Sequence, residues 1–318
     1  MSNATVSRLG QVDQAGDVKA LFLKVFSGEV LTAFETSTIL KDKTRQRVIA
    51  SGKSAQFPAT FRASSGYHTP GNEIVGKQIR HAEVTISIDD LLISDVFIAS
   101  IDEAMNHYDV RAPYSREIGL ALARDYDANI ARNIISAARG AALFTGDTGG
   151  GTLNDADSDT SATSLAGSIW AGKQALEEKD VPVETQTVNA VVKPAQWYLL
   201  AQESTLVLNR DVDGDGSYSK GSFSMIGGVQ VSRSVNLPWG TDDSSNTDLP
   251  AAYRVNMGTT TAAVFTEDAA ATVQLMGLGM ESEYDIRRQG TLMVAKYAVG
   301  HGALRNKCAY EIRTADPS

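Results

Sequence analysis

One cysteine in 318 residues, Cys308, excludes an internal disulfide and every cysteine-based zinc module. Histidine is nearly as scarce. His68, His81, His107 and His301 lie far apart, no two at helical ligand spacing, which argues against a transition-metal site. No apolar run approaches the roughly 18 residues that a membrane span needs. The first ten residues lack the basic cap and apolar core of a secretory leader. Gly-x-Ser-x-Gly, His-Glu-x-x-His and Gly-x-Gly-x-x-Gly are all missing, so the common hydrolase, metalloprotease and dinucleotide signatures are excluded. Disorder is excluded too, because 42% of residues are hydrophobic and 21% charged.

What is present is unevenly distributed. The net charge of −9 divides into +3 over residues 1–53, −3 over 54–140, −13 over 141–285 and +4 over 286–318. Basic ends around an acidic middle do not make the concentrated basic face of a nucleic-acid reader. They suit either plain solvation or chains that pair basic ends with acidic neighbours.

Hydrophobic spacing predicts the elements. Val18, Leu21, Phe22, Val25 and Phe26 fall on one helical face, with Asp17 as N-cap and Ser27-Gly28 as a stop. From Arg47 to Asp89 the pattern is a two-stranded projection. Its second arm alternates Ala82, Val84, Ile86 and Ile88 with polar residues; its first, Val48 to Phe61, contains the edge residue Pro58. Ser64 to Asn72 is turn material. Arms of some ten residues would extend about 35 Å, too far to bury an apolar face within one globule, and so invite a partner.

The strongest helix opens near Pro113, carries Ile118, Leu122, Tyr126, Ile130 and Ile134 as an i, i+4 stripe, and ends at Gly140. A Gly- and Asp-rich loop follows over 146–159. Leu165, Ile169, Gly172 and Leu176 predict another helix, Thr187–Val192 a buried strand, Pro194 a short helix with Trp197, and Val229–Val235 a further strand. This middle reads as its own α/β layer. The strands Gly290–Val299 and Ala309–Arg313 close the chain.

Three motifs invite chemistry. Ser51-Gly-Lys-Ser54 ends like a phosphate loop, but Arg47 stands where the first glycine belongs and no helix follows. Asp211, Asp213 and Asp215 before Gly216 present oxygens as a calcium loop does, with Ser222 in place of the bidentate Glu. Asp155, Asp157 and Asp159 repeat that pattern with fewer of its features. A solvated acidic turn is the plainer reading of both, and no catalytic constellation emerges.

Three blocks of sequence carry more. They are Leu21–Phe34 (LFLKVFSGEVLTAF), then Ser51–Pro58 (SGKSAQFP) with Pro70-Gly71 and Asp102–Arg111 (DEAMNHYDVR), then Ala295–Arg305 (AKYAVGHGALR). They resemble the major capsid proteins of T7-like tailed bacteriophages, of HK97-like capsid fold. The likeness covers most of the first 140 residues and the C-terminal tenth. The middle, over 141–285, matches in layout more than in residues.

The resemblance implies an α+β chain with an N-terminal arm (1–46), an extended β-hairpin loop (47–89), a peripheral domain (90–159) with a spine helix over 113–139, an axial α/β domain (160–285) and a return to the peripheral domain (286–318). It implies a structural protein, not an enzyme, with no cofactor. Copies would form the hexamers and pentamers of an icosahedral shell around double-stranded DNA, bound without sequence readout. A scaffolding protein, a portal at one vertex, assembly in the host cytoplasm and residence in the virion follow, with no membrane. Inter-subunit contacts are expected at Lys53, Phe57, Phe61, Tyr67 and His68 in the arm and at Phe22 and Phe26 near the N-terminus. Lys53 is not expected to cross-link covalently. An encapsulin-type compartment shell, or a calcium-binding adhesin built on the acidic loops, are the alternative readings.

Overall fold

A computed structural model describes residues 32–34, 37–101, 111–203, 223 and 225–317. The helix expected at 17–26 with Phe22 and Phe26, His107, and the Asp211–Asp215 turn lie outside these residues. The chain divides into two compact units, one formed by residues 1–38, 90–127 and 276–299, the other by 39–89, 128–275 and 300–318.

In the first unit, β4 (Leu92–Ala99) pairs antiparallel with the first part of β11 (Gly290–Ala303), from Gly290 opposite Ala99 to Tyr297 opposite Leu92. The alternating burial of β4 comes from its pleat, not from its sequence: Ile93 and Phe97 fall on the exposed face and Ser94 on the half-buried one. Helix α1 (Arg111–Arg139), whose residues from Ala128 on belong to the second unit, starts two residues before the expected position, with Pro113 in its first turn, where a missing N–H costs nothing. Its expected stripe is buried: Ile118, Leu122, Tyr126, Ile130 and Ile134 are each at most 2% exposed. Phe34 and Tyr126 meet edge-on at 5.5 Å, Phe34 and Tyr297 at 5.6 Å, and the two tyrosines stack at 5.9 Å. These are the favoured aromatic geometries, and they tie Phe34 of the first sequence block to Tyr297 of the third.

The second unit is built on a mixed six-stranded sheet, ordered β5 (Gly151–Asn154), β12 (Ala309–Arg313), β9 (Thr260–Thr266), β6 (Val188–Val192), β8 (Val229–Arg233), β7 (Met225–Ile226). Every residue of β6 and β9 is buried, as central strands covered on both faces require. Helix α2 (Ala162–Glu178) is capped by Ser161, whose hydroxyl accepts from the Ser164 amide at 3.3 Å, and buries Leu165, Ile169, Gly172 and Leu176. Helix α3 (Pro194–Gln202) begins at its proline and stacks Trp197 on Phe223 at 4.2 Å.

Also in this unit, β1 (Arg45–Val48) runs parallel to Ala271–Gln274 of β10 (Ala270–Asp285). A separate two-stranded hairpin joins β2 (Ser54–Thr60) to β3 (His81–Ser87), in register from Ser54 opposite Ser87 to Thr60 opposite His81. The first arm is therefore not one strand from Val48 to Phe61, as its sequence suggested. It breaks around Gly52, whose φ of +111° suits glycine alone, so β1 and β2 join different sheets. Pro58 sits on the open side of the two-stranded sheet, where its missing N–H disturbs no ladder.

Candidate functional site

With no catalytic constellation in the sequence, the feature that departs most from an ordinary globule is the β2–β3 hairpin. Its residues fall into three zones.

The root zone is packed on its own chain. Ala55, Phe57 and Ile86 point inward and close over Ala271, Val273 and Leu304, with Ile49, Val84 and Ile88 at the margin. Phe57 is 8% exposed and Ile86 3%. The expectation that the arm's apolar face must wait for a partner is thus corrected, and Phe57 is a core residue of the same subunit. The arm is too long to bury itself as a free projection, but its root lies flat on a surface assembled from β10 and β11.

Two glycines make that close approach possible. A Cβ at Gly300 would stand 2.1 Å from the Ser87 carbonyl oxygen, and one at Gly302 2.8 Å from Ile86 Cγ1. Between them His301 turns inward: its Nδ1 lies 2.9 Å from Thr272 Oγ1, and its backbone N–H donates to Tyr253 Oη at 3.0 Å. Tyr253 in turn donates its hydroxyl proton to the Asp89 carboxylate, just beyond β3. Full burial pushes the His301 imidazole down to about pKa 3, so it is neutral at pH 7. Burial first, then the bond to Asp89, holds the Tyr253 phenol far above its ordinary range. The Gly-His-Gly of the third sequence block therefore has a physical role as the seat of the hairpin.

The middle zone is tied by polar and aromatic contacts. Phe61 meets Phe144 at 5.2 Å, and the Arg80 guanidinium lies 4.3 Å from the Phe61 ring while donating to the Thr145 carbonyl at 2.7 Å. Arg62 pairs with Asp180 at 2.8 Å, both side chains more than half exposed. Phe61 is half-buried against its own chain.

The outer zone is bare. Every residue from Arg62 to Arg80 is exposed, including Tyr67, Ile74, Val75 and Ile79 at 109%, 79%, 78% and 42%. His68 belongs to this stretch, and Lys53 is likewise exposed at the foot of β2. Four large apolar side chains on one nineteen-residue loop are more than scattered surface hydrophobics, and such groupings mark binding surfaces. Of the expected contact residues, Lys53, Tyr67 and His68 are thus accessible and Phe61 partly so, while Phe57 is not.

Other sequence leads resolve differently. Ser54 opens a strand, so Ser51–Ser54 cannot offer phosphate a helix N-terminus. The Asp155 carboxylate takes hydrogen bonds from the Ser164 and Ser168 hydroxyls at 2.6 Å and from the Asp157 amide at 3.2 Å; these, led by Ser164, hold its pKa below the usual value. It fastens the start of α2. Among the described residues no three His, Cys, Asp or Glu side chains are grouped to hold a metal ion, and no helix is long and apolar enough to cross a membrane.

Sequence reading missed one strong polar site. Glu311, with its side chain fully buried, receives two hydrogen bonds from Arg139 (2.7 and 2.6 Å) and one from Thr260 (2.5 Å), while Arg139 also donates to the Asn256 carbonyl at 2.7 Å. This forked arrangement anchors the last turn of α1 to the six-stranded sheet. Its partners are 172 residues apart, and nothing local marks Glu311 as inward-facing.

A hairpin buried at its root on its own chain and bare at its tip sets this chain apart from an ordinary globule. Comparison with known proteins places it more closely. The profile of the family described as Gp10A-like major capsid protein matches residues 56–313. The major capsid protein of Escherichia phage T7 is 31% identical over 93% of this chain and 92% of its own length, and that of Enterobacteria phage T3 is 31% identical over 94% and 93%. The capsid structure of cyanophage P-SCSP1u is similar with a TM-score of 0.78 and 40% identity, covering 99% of both chains. The chain belongs to the Gp10A-like major capsid protein family: it is a shell-forming structural protein of a bacteriophage virion. The compartment and adhesin readings are not favoured by these matches.

Proposed function

We propose that copies of this chain associate into hexamers and pentamers and close into an icosahedral shell that encloses double-stranded DNA without reading its sequence. The observation that carries this reading is the outer zone of the hairpin, a nineteen-residue loop exposed along its whole length with Tyr67, Ile74, Val75 and Ile79 uncovered together. Each contact of such a loop can be individually modest, because many contacts close together on a lattice. Lys53, Phe61, Tyr67 and His68 are the proposed contacts in the hairpin, with Phe22 and Phe26 contributed by the N-terminal arm. The five-part division into arm, hairpin loop, peripheral domain, axial domain and return segment is the working map of that assembly. A scaffolding protein and a portal at one vertex would direct assembly in the host cytoplasm. The work of the protein is then association, not catalysis, and its overall −9 charge suits a container that does not grip its DNA.

Size-exclusion chromatography followed by negative-stain microscopy tests this, first on the chain alone and then with its genetic neighbours. Shells, tubes or isolated six-membered rings are expected. A clean monomer under both conditions would overturn the reading.

A further inference from the structure

Beneath the middle zone of the hairpin lies a small cleft of about 40 Å³, open to solvent and lined by Ala59, Thr60, Leu143, Phe144, Asp147, Thr148, Arg305, Asn306 and Lys307. Its roof is the end of β2 and its floor is the loop that follows α1 together with the turn between β11 and β12. Three features make it more than a surface dent. The Asp147 side chain is only 9% exposed, and its Oδ1 has no hydrogen-bond donor among the described residues. Lys307 stands 3.7 Å away, an ion pair too long to be a hydrogen bond. Arg305, half-exposed on the rim, makes no side-chain hydrogen bond or ion pair among the described residues. Leu143, 39% exposed, adds an apolar flank beside Ala59 and Phe144.

A buried acceptor lacking a donor costs free energy until one arrives, and a guanidinium offers several donors to an incoming acceptor. One chemical group offers both, namely the peptide or carboxamide unit, with an N–H for Asp147 and a carbonyl for Arg305. The lining carries two cations against one carboxylate, which disfavours a basic guest. We infer that this cleft binds a neutral or acidic peptide segment of a second copy of the chain, its backbone or a carboxamide side chain bridging Asp147 and Arg305 and an apolar neighbour resting on Leu143. The occupant is a second copy because a shell-forming chain meets its own surface at every contact, and its acidic stretch over 141–285, at −13, complements a cleft with net positive lining. Seated there, the guest would wedge between hairpin and body and fix the angle at which the outer zone projects. The inference rests on the assembly reading and deepens it.

The test uses the full-length chain held unassembled at low concentration, probed against overlapping peptides that cover its own sequence, alongside the concentration threshold for shell formation. Wild type is expected to capture at least one neutral or acidic peptide. Arg305→Ala should weaken that binding and raise the threshold about tenfold or more, Arg305→Lys should recover part of both, and Arg288→Ala, which removes an exposed charge elsewhere, should change neither. Peptide capture without shells would contradict the assembly reading and leave the cleft standing. Shells without any peptide capture, or Arg305→Ala matching wild type in both readouts, would overturn the cleft. Circular dichroism of each variant separates these outcomes from misfolding, and Arg305→Lys carries the test if Arg305→Ala fails to fold.

Discussion

The inner and outer halves of one hairpin both carry large apolar side chains, which meet opposite fates. At the root, Ala55, Phe57 and Ile86 are buried against β10 and β11; beyond Phe61, Tyr67, Ile74, Val75 and Ile79 stand in solvent. The presence of large apolar side chains alone does not separate them. What separates them is whether the chain supplies a surface: Gly300 and Gly302 let the root come within contact distance, and nothing described lies over the tip. Stability and assembly should therefore divide along the hairpin, the root serving the fold and the tip serving the lattice.

That division can be broken by substitution. The largest effect is expected for Phe57→Ala, which empties a core position and should cost about 3–5 kcal/mol in chemical denaturation. If it leaves stability unchanged and abolishes only assembly, the root is an interface and the division is wrong. Next comes acid. The folded His301 pKa of about 3 lies below the unfolded value near 6.5, so the unfolded chain binds the proton first. Its contribution is complete above about pH 6.5 and is lost as pH falls toward 3. At pH 4 this amounts to about 3 kcal/mol. Denaturation curves at pH 7 and pH 4 should show His301→Gln losing much of the pH dependence that wild type displays; equal slopes would remove His301 from the seat.

Smaller effects should mark the middle and the tip. Arg62→Ala breaks an exposed pair with Asp180 and should cost under about 1 kcal/mol, less still at high salt. Tyr67→Ser combined with Ile74→Ser should leave the unfolding midpoint within about 0.5 kcal/mol of wild type, since neither side chain is covered, yet suppress particles in negative stain. A fall in stability with particles intact would reverse the assignment of the tip.

Local signals reach only so far along this chain. The i, i+4 stripe on α1, the alternation of Ala82 to Ile88, the proline opening α3 and the apolar run at Val188 each state their own element, and all stand in the structure. The root's burial is not local, because Phe57 meets Val273 and Leu304, more than 200 positions away. Gly52 looked like part of a phosphate motif, and only its positive φ identifies it as the break between two strands. Strand β9 escaped notice because Thr260-Thr-Ala-Ala-Val-Phe-Thr266 has neither a period-two pattern nor a strong apolar run, and its burial comes from neighbours on both sides. Glu311 is the sharpest case. A charged residue on a short strand reads as solvent-facing until Arg139, at the end of a helix 172 positions earlier, is brought against it.

Amide hydrogen exchange along residues 54–87, compared between unassembled subunits and purified shells, tests the division most directly. The account predicts that 54–59 and 82–87 are protected in both states, whereas 63–79 exchanges freely in the subunit and becomes protected in the shell. Free exchange of the root in the subunit, or an outer loop that exchanges equally fast in both, would contradict it.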